Sequence, residues 1–160
     1  MPRLEILSEV NRRTLQFFPC LEYDDTPWTP LSKDLSQCKL ALVTTAGLHR
    51  RGDPPFSREV PGGESSYRVI PSDTNPADII QSHFSIGFDR TAIYRDLNVT
   101  LPLERVNELV ARGVIGSVAR NYSSFMGALR DPSQLMAETG PEVAQRLRDE
   151  GVDVALLTPT

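Results

Sequence analysis

Apolar residues recur every three or four positions in two segments of the second half of the chain, and this spacing predicts two amphipathic helices. The first is predicted at residues 102–112, opened by Pro102 and stopped by Gly113. The second is predicted to begin at a capping pattern in residues 139–142 and to end at Gly151, and residues 131–134 carry a similar pattern. The residues expected to face the core are Leu103, Val106, Leu109, Val110, Val143, Ala144 and Leu147.

Short apolar runs alternate with these helices and predict three strands, at residues 39–45, 114–119 and 152–157. Strand, helix, strand, helix, strand with short links indicates an α/β fold, with a parallel, Rossmann-like sheet and βαβ crossovers. The run at 152–157 is apolar almost throughout, so we expect it at the centre of the sheet with a covering helix after it. Residues 39–160 are therefore expected to form an α/β domain that is incomplete at its carboxyl terminus.

The remaining segments are less regular. Residues 1–38 are expected to form an N-terminal helix, at 4–18, and an arm that packs Trp28 against the domain. Residues 48–100 are predicted to be a long irregular insertion, with a brief edge strand at 67–70 and a helix start at 75–78. A long irregular stretch inside a compact domain is unusual unless it is functional.

Composition narrows the class of protein. The chain has 160 residues, of which 39% are hydrophobic and 24% charged, as is typical of one soluble globular domain. A net charge of −4 gives no electrostatic case for nucleic acid, and no apolar run approaches the roughly 20 residues that span a bilayer. Cys20 and Cys38 fit neither a disulfide framework nor a metal site, and no signal peptide or nucleotide-binding motif is present, so we expect a cytoplasmic protein without a bound cofactor.

His83 is the candidate catalytic residue because it lies in the irregular insertion among other polar side chains. Asp89, Arg95, Asp96 and Asn98 follow it closely, and polar residues gathered in a loop often bind ligands. The alternative is a structural histidine in a solvated loop whose Asp and Asn residues cap local turns.

Two other groups are expected just beyond the carboxyl ends of strands, where open α/β sheets bind ligands. His49, Arg50 and Arg51 follow the first strand and either hold an anionic group or form an exposed basic turn. Residues 121–127, which include Tyr122, follow the second strand and could offer hydroxyls to the same crevice. The residues alone thus predict a polar, histidine-bearing crevice without a recognisable nucleophile.

From Leu40 to Thr160 the chain resembles the selenoprotein B group of the glycine/sarcosine/betaine/D-proline reductases. The most specific element is Asp96-x-Asn98 followed by Pro102, with a histidine upstream and a Gly-Val-Ile-Gly strand downstream. The other matching segments are residues 41–47, His83 with residues 88–89, and residues 151–160.

This resemblance implies reductive cleavage of a C–N bond in an amino-acid-type substrate, with partner reductase subunits and a thiol reductant. It implies a selenocysteine directly after Thr160, so the chain as given would lack its nucleophile and be inactive. His83 would then give a proton to the leaving amine. The residues expected to position the substrate, support the site or flank the selenium are Asp89, Arg95, Asp96, Asn98, Tyr122, Thr158 and Thr160.

Two other functions fit the same sequence. One is a short, non-catalytic α/β paralogue that binds a small carboxylate or a partner protein. The other is an unrelated α/β domain that binds a nucleotide, which the missing phosphate loop disfavours. The codon after residue 160 separates the first alternative from the reductase, because a selenocysteine codon supports only the reductase.

Overall fold

The computed structural model describes residues 4–17, 22–85 and 90–160, and has a mixed α/β fold. Within these residues the strands are β1 Lys39–Thr44, β2 Leu48–Arg50, β3 Tyr67–Pro71, β4 Ile79–Gln81, β5 Ser117–Val118, β6 Asn121–Phe125 and β7 Val154–Thr158. The α-helices are α1 Glu9–Gln16, α2 Arg90–Arg95, α3 Leu103–Ala111 and α4 Gly140–Asp149. Short 3₁₀ turns cover Leu4–Ile6, Leu35–Gln37, Pro76–Asp78 and Leu97–Val99.

Strand β1 is the centre of a mostly parallel sheet. On one side its first residues pair with β5 and its last residues pair with β6, both in parallel. Strand β7 pairs in parallel with β1 from Leu40 to Thr44, and therefore occupies the other side. Strand β3 adds an antiparallel edge to β6, while β2 and β4 form a separate antiparallel pair. The predicted α/β class and parallel pairing are confirmed; the βαβ crossovers of a Rossmann-like fold stay a prediction.

The core forms where apolar strands meet the apolar faces of the helices. Strand β1 buries Leu40, Ala41 and Leu42, and this burial removes apolar surface from water along most of its length. Helix α3 ends before Gly113, whose φ of +69° suits glycine, and α4 ends before Gly151 at +72°, as predicted. The helix residues that reach the core are Leu103, Val106, Leu109, Val110, Val143 and Leu147.

The predicted strand at 114–119 is wrong in extent, because only Ser117 and Val118 pair there and the longer strand is β6. The backbone N–H of Gly116 donates to the carbonyl oxygens of Leu35 and Cys38, so the chain crosses the turn before β1 instead of extending beside it. A Cβ at Gly116 would lie 2.8 Å from the carbonyl oxygen of Ser36, so a side chain would prevent this crossing.

Within the described residues, strand β7 lies at an edge of the sheet, whereas the apolar sequence predicts a central place. Among the described residues it pairs with β1 alone, and Leu157 is 66% exposed. An apolar sequence predicts that a strand is covered, but its neighbours in the sheet depend on which edge of β1 is open. Because β5 and β6 occupy one edge of β1, β7 takes the other.

The N-terminal helix is confirmed, although α1 begins later than predicted, after Ser8 accepts a hydrogen bond from the N–H of Asn11. The prediction that Trp28 packs against the domain is wrong, because its side chain is 84% exposed. The arm meets the domain through polar contacts instead, and the Lys33 ammonium lies 2.8 Å from the Asp153 carboxylate.

Of the two predicted capping patterns before α4, only the first forms capping hydrogen bonds. Asp131 accepts a hydrogen bond from the N–H of Ser133, as a capping residue does. Thr139 does not cap, since a π-helical segment at Leu135–Thr139 runs straight into α4. Its hydroxyl donates to the carbonyl oxygen of Ser65 instead, which ties the helix to the insertion.

The insertion is more regular than predicted, because β2, β3 and β4 all lie in it. The predicted edge strand is confirmed as β3, which extends to include Pro71. Asn75 caps a helical turn as predicted, with its side chain 3.0 Å from the N–H of Ala77. The helical turn ends at Asp78, because β4 begins at the next residue.

Candidate functional site

The carboxyl ends of β1, β6 and β7 meet at one edge of the sheet. The backbone N–H of Thr160 donates to the hydroxyl oxygen of Thr45 at 2.8 Å, and the N–H of Thr45 donates to the carbonyl oxygen of Thr158 at 3.2 Å. A Cβ at Gly127 would lie 2.7 Å from the carbonyl oxygen of Thr160 and 3.0 Å from that of Thr45. The three chain segments are therefore packed backbone to backbone at the edge where parallel sheets bind ligands.

Thr158 links this edge to the loop that precedes α3. Its hydroxyl donates to the carbonyl oxygen of the buried Thr100 at 2.7 Å. The hydroxyl of Thr44 donates to the carbonyl oxygen of Thr158 at 3.3 Å. Thr158 and Thr160 therefore lie at the carboxyl edge of the sheet, where Thr158 braces the end of β7. Their role beside a selenium stays a prediction.

Gly47 lets the His83 segment lie against the end of β1. Its φ is +64°, and a Cβ there would lie 3.0 Å from the backbone nitrogen of His83 and 3.1 Å from its Cα. The N–H of Ser82 donates to the carbonyl oxygen of Gly47 at 2.9 Å, and the N–H of Gly47 donates to that of Phe125 at 2.9 Å. His83 therefore belongs to the same edge as the ends of the three strands.

The His83 ring is held in a particular protonation state. Its side chain is buried, with 2% exposure, and its Nδ1 accepts a hydrogen bond from the N–H of Ser85 at 3.2 Å. Burial lowers the pKa of His83, and the positive charge of Arg90 lowers it further. The ring is therefore neutral at neutral pH, and because Nδ1 is the acceptor the proton lies on Nε2.

Asp96 and Asn98 brace the start of α3. The Asp96 carboxylate accepts hydrogen bonds from the backbone N–H and the side-chain amide of Asn98, both at 2.9 Å. These bonds lower the pKa of Asp96. The Asn98 side chain also exchanges hydrogen bonds with Glu104, at 2.8 and 3.1 Å. Asp96 and Asn98 thus form a local capping structure, one of the roles expected for them.

Arg95 and Asp89 are the two remaining candidates from the sequence. Arg95 is exposed in the last turn of α2, where it borders a cavity of about 200 Å³ together with Asp96 and Asn98. Asp89 lies outside the described residues.

The predicted loop position of Tyr122 is wrong. Tyr122 lies inside β6, paired with Ile70, and its side chain is 1% exposed in the core. Burial, with a smaller effect from the negative charge of Glu150, raises the pKa of Tyr122 to about 12. The error has the same origin as that of the predicted strand at 114–119. The longer strand is β6 at Asn121–Phe125, so the polar residues expected after a strand form the strand itself.

His49 and its neighbouring arginines do not meet around one ligand. His49 is buried in β2, with its Nδ1 3.0 Å from the carbonyl oxygen of Arg50. The Arg50 guanidinium donates to the Asp53 carboxylate at 3.0 and 3.1 Å, and that of Arg51 lies 3.5 Å from Asp78. The exposed basic turn is therefore the better of the two interpretations for the arginines.

Sequence reasoning missed four residues near this site: Thr45, Gly47, Gly127 and Gln81. The glycines that follow strands were visible signals of close backbone approach. Gln81 carried no signal in the sequence. Both polar atoms of its amide are buried, and neither has a hydrogen-bond partner within residues 4–17, 22–85 and 90–160.

Within the described part of the chain, no group of three or more His, Cys, Asp or Glu side chains could hold a metal ion. The helices of that part are also too short and too polar to cross a bilayer.

Comparison with known proteins gives one consistent family. The family model for glycine/sarcosine/betaine reductase selenoprotein B matches residues 13–160. D-proline reductase subunit gamma of Acetoanaerobium sticklandii is 39% identical over 131 residues, which are 82% of this chain and 52% of that protein. Sarcosine reductase complex component B subunit beta of Peptoclostridium acidaminophilum is 28% identical over 89% of this chain and 33% of its own length.

Glycine reductase complex component B subunit gamma of Symbiobacterium thermophilum is 29% identical, again over 89% of this chain and 33% of its own length. The chain thus spans about a third to a half of the length of these relatives. No solved structure matches the chain.

Proposed function

Since this chain belongs to the glycine/sarcosine/betaine reductase selenoprotein B family, we propose that it is part of a B-type reductase component that reductively cleaves a C–N bond in an amino-acid-type substrate. The observation that carries the proposal is the family match over residues 13–160, which includes every segment at the carboxyl edge of the sheet. The similar proteins are named as subunits of D-proline, sarcosine and glycine reductases, and this supports a reductase role in general.

The nucleophile of this proposal is a selenocysteine that follows Thr160 directly. Its selenolate would attack the α-carbon, so that a C–Se bond forms as the C–N bond breaks and the amine leaves. One thiol would then attack selenium, which breaks the C–Se bond while the carbon takes up a proton. A second thiol would open the resulting Se–S bond, and this releases the selenolate and a disulfide, whose two electrons the substrate has gained. The structure supports this place because the Thr160 backbone is anchored by Thr45 and packed against Gly127, beside the His83 segment.

His83 would act on the leaving amine through Nε2. With its lowered pKa the ring is neutral, so it offers an N–H hydrogen-bond donor and not a charged acid in the resting state. Arg95 would hold the substrate carboxylate, while Asp96 and Asn98 brace the loop and Thr158 fixes the end of β7.

Partner subunits and a thiol reductant belong to the same proposal. The relatives are named as subunits or components of reductase complexes, and the chain covers only part of their length. A thiol-dependent cycle needs a reducing compartment, so we place the protein in the cytoplasm.

The first test is to sequence the gene beyond codon 160. A UGA codon followed by an open reading frame with an early cysteine codon is expected. A UAA or UAG terminator at that position would refute the selenocysteine and leave the non-catalytic paralogue as the better explanation.

The second test is turnover of the full-length, selenium-containing complex with a dithiol reductant. His83→Ala should lower kcat by at least about tenfold, since a positioned proton donor or hydrogen-bond donor commonly contributes more than that. The matched control is His49→Ala, which removes the other buried histidine and should leave kcat unchanged once both variants are shown to be folded. Equal turnover of the two variants would remove the role of His83.

A further inference from the structure

A cavity of about 300 Å³ lies between α2 and the small sheet of β2 and β4. Leu48, Ile79 and Ile93 supply apolar wall, and Arg95 and Gln81 also line it. Its volume is at the lower end of the range for small-molecule sites, and an apolar wall with a few polar groups is their usual composition.

Gln81 is the unusual member of this lining. Its amide Nε2 and Oε1 atoms are both buried, and neither has a hydrogen-bond partner in the described part of the chain. Leaving a buried amide unpaired is unfavourable, and nearly all such groups in proteins find a partner. An amide kept in this state at the wall of a cavity is explained if a ligand in the cavity supplies the partner.

The positive charge of Arg95 at the cavity favours an anionic ligand. Arg95 lies on its border in the last turn of α2, and no ion pair of Arg95 is found among the described residues. No Asp or Glu side chain of those residues lines the cavity. An arginine guanidinium matches the two oxygens of a carboxylate, and a glutamine amide can donate one more hydrogen bond to it.

The cavity also adjoins the site described above. Gln81 precedes His83 by two residues, and the β-type pairing of this segment continues to Ser82, whose N–H donates to the carbonyl oxygen of Gly47. Helix α2 spans both places, since Arg90 at its start acts electrostatically on His83 and Arg95 at its end borders the cavity.

We infer that this cavity binds a small carboxylate with a short apolar body, and that Gln81 and Arg95 hold the carboxylate. Gln81 turns its amide into the cavity when the ligand is present and so gains the hydrogen bond that it lacks without the ligand. The inference rests on the proposed function in one respect, since it identifies the bound carboxylate as that of the substrate, held next to His83.

The test is isothermal titration of the chain with D-proline, which carries a carboxylate on a small apolar ring. Pyrrolidine, the same ring without the carboxylate, is the ligand control. Gln81→Leu and Arg95→Gln should each raise the Kd for D-proline at least tenfold, while Arg112→Gln, a change in an exposed arginine at the end of α3, should leave it unchanged. Gln81→Leu should also raise Tm, because it removes the unpaired amide.

The inference is overturned if D-proline does not bind, if pyrrolidine binds as tightly, or if Gln81→Leu leaves the Kd unchanged. A fall of Tm in Gln81→Leu overturns it as well, because the amide would then already be satisfied in the empty protein. These outcomes are separate from the gene test. If the gene has an ordinary stop codon but D-proline binding depends on Gln81, the reductase proposal fails and the cavity inference stands. If the complex turns over and its KM is unchanged in Gln81→Leu, the cavity inference fails and the reductase proposal stands.

Discussion

Replacing Gly47 by alanine should destabilise the protein more than replacing Gly113, although both glycines have nearly the same backbone conformation. Their φ angles are +64° and +69°. A left-handed conformation costs an alanine about 1–2 kcal/mol, and the smaller conformational freedom of the unfolded alanine chain offsets up to about 1 kcal/mol of this. This contribution is common to the two variants.

The difference between them comes from the space around the new methyl group. At Gly113 nothing lies within 4 Å of the added Cβ. At Gly47 it would lie 3.0 Å from the backbone nitrogen of His83, 3.1 Å from its Cα and 3.1 Å from the methyl carbon of Met126. Two of these three atoms belong to a backbone that cannot turn aside, and overpacking of this kind costs about 1–3 kcal/mol.

We therefore expect Gly113→Ala to lower the free energy of unfolding by about 1 kcal/mol and Gly47→Ala by about 2–4 kcal/mol. Urea denaturation at 25 °C measures both values by linear extrapolation. If Gly47→Ala is too unstable for a native baseline, Tm at one scan rate gives the same ranking. Free energies within about 0.5 kcal/mol of each other would refute the close approach between the end of β1 and the His83 segment.

The same pair of variants tests whether the approach matters for the site. Because His83 must move by a few tenths of an ångström in Gly47→Ala, the pKa of its ring should change, and a ¹H NMR titration of the histidine Hε1 signals reports this. Gly113→Ala should leave that titration unchanged.

Three further predictions concern single side chains. Asn98→Ala should lower the free energy of unfolding by about 1 kcal/mol, because it removes the side chain that bonds the N–H of Glu104 in the first turn of α3; unchanged urea denaturation would contradict this. The pKa of Tyr122 is raised to about 12, so its contribution to stability is complete below pH 10 and is lost as pH rises towards 12. The difference in absorbance at 295 nm between the wild type and Tyr122→Phe reports the ionisation of this tyrosine, and it should titrate near pH 12. Titration near pH 10 would refute the burial. The pKa of His83 is lowered below its usual 6.5, so its contribution to stability is present above pH 6.5 and is lost as pH falls towards the lowered pKa; this part of the pH dependence of unfolding should be absent in His83→Gln.

Local signals in the sequence were sufficient where one interaction decides the structure. The helix at 102–112 was predicted almost to its ends, because the spacing of its apolar residues and the glycine after it both act over a few residues. Asn75 was predicted as a capping residue for the same reason. Strand β1 is likewise recognisable, since a short run of apolar residues favours a buried strand.

The site was only partly predictable. Thr158 and Thr160 lie at the carboxyl edge because β7 runs parallel to β1. His83 is a candidate from the sequence because several polar residues follow it closely. Tyr122 was misplaced because hydroxyl-bearing residues are equally compatible with a loop and with the strand that β6 forms. Gln81 could not be predicted from the sequence, because whether its amide has a hydrogen-bond partner depends on which residues fold around it.

The amino-acid sequence is enough to recognise the class of the fold, its principal helices and central strand, and the family, because these depend on local periodicity and on residues that are close in the chain. Three features emerge only in the folded protein: β7 lies at an edge of the sheet that the described residues form, Trp28 is exposed, and Gly47 and Gly127 make room for their neighbours. These features depend on which surfaces of distant segments meet. Such contacts are set by packing and hydrogen-bond competition over the whole domain, which no short window of sequence contains.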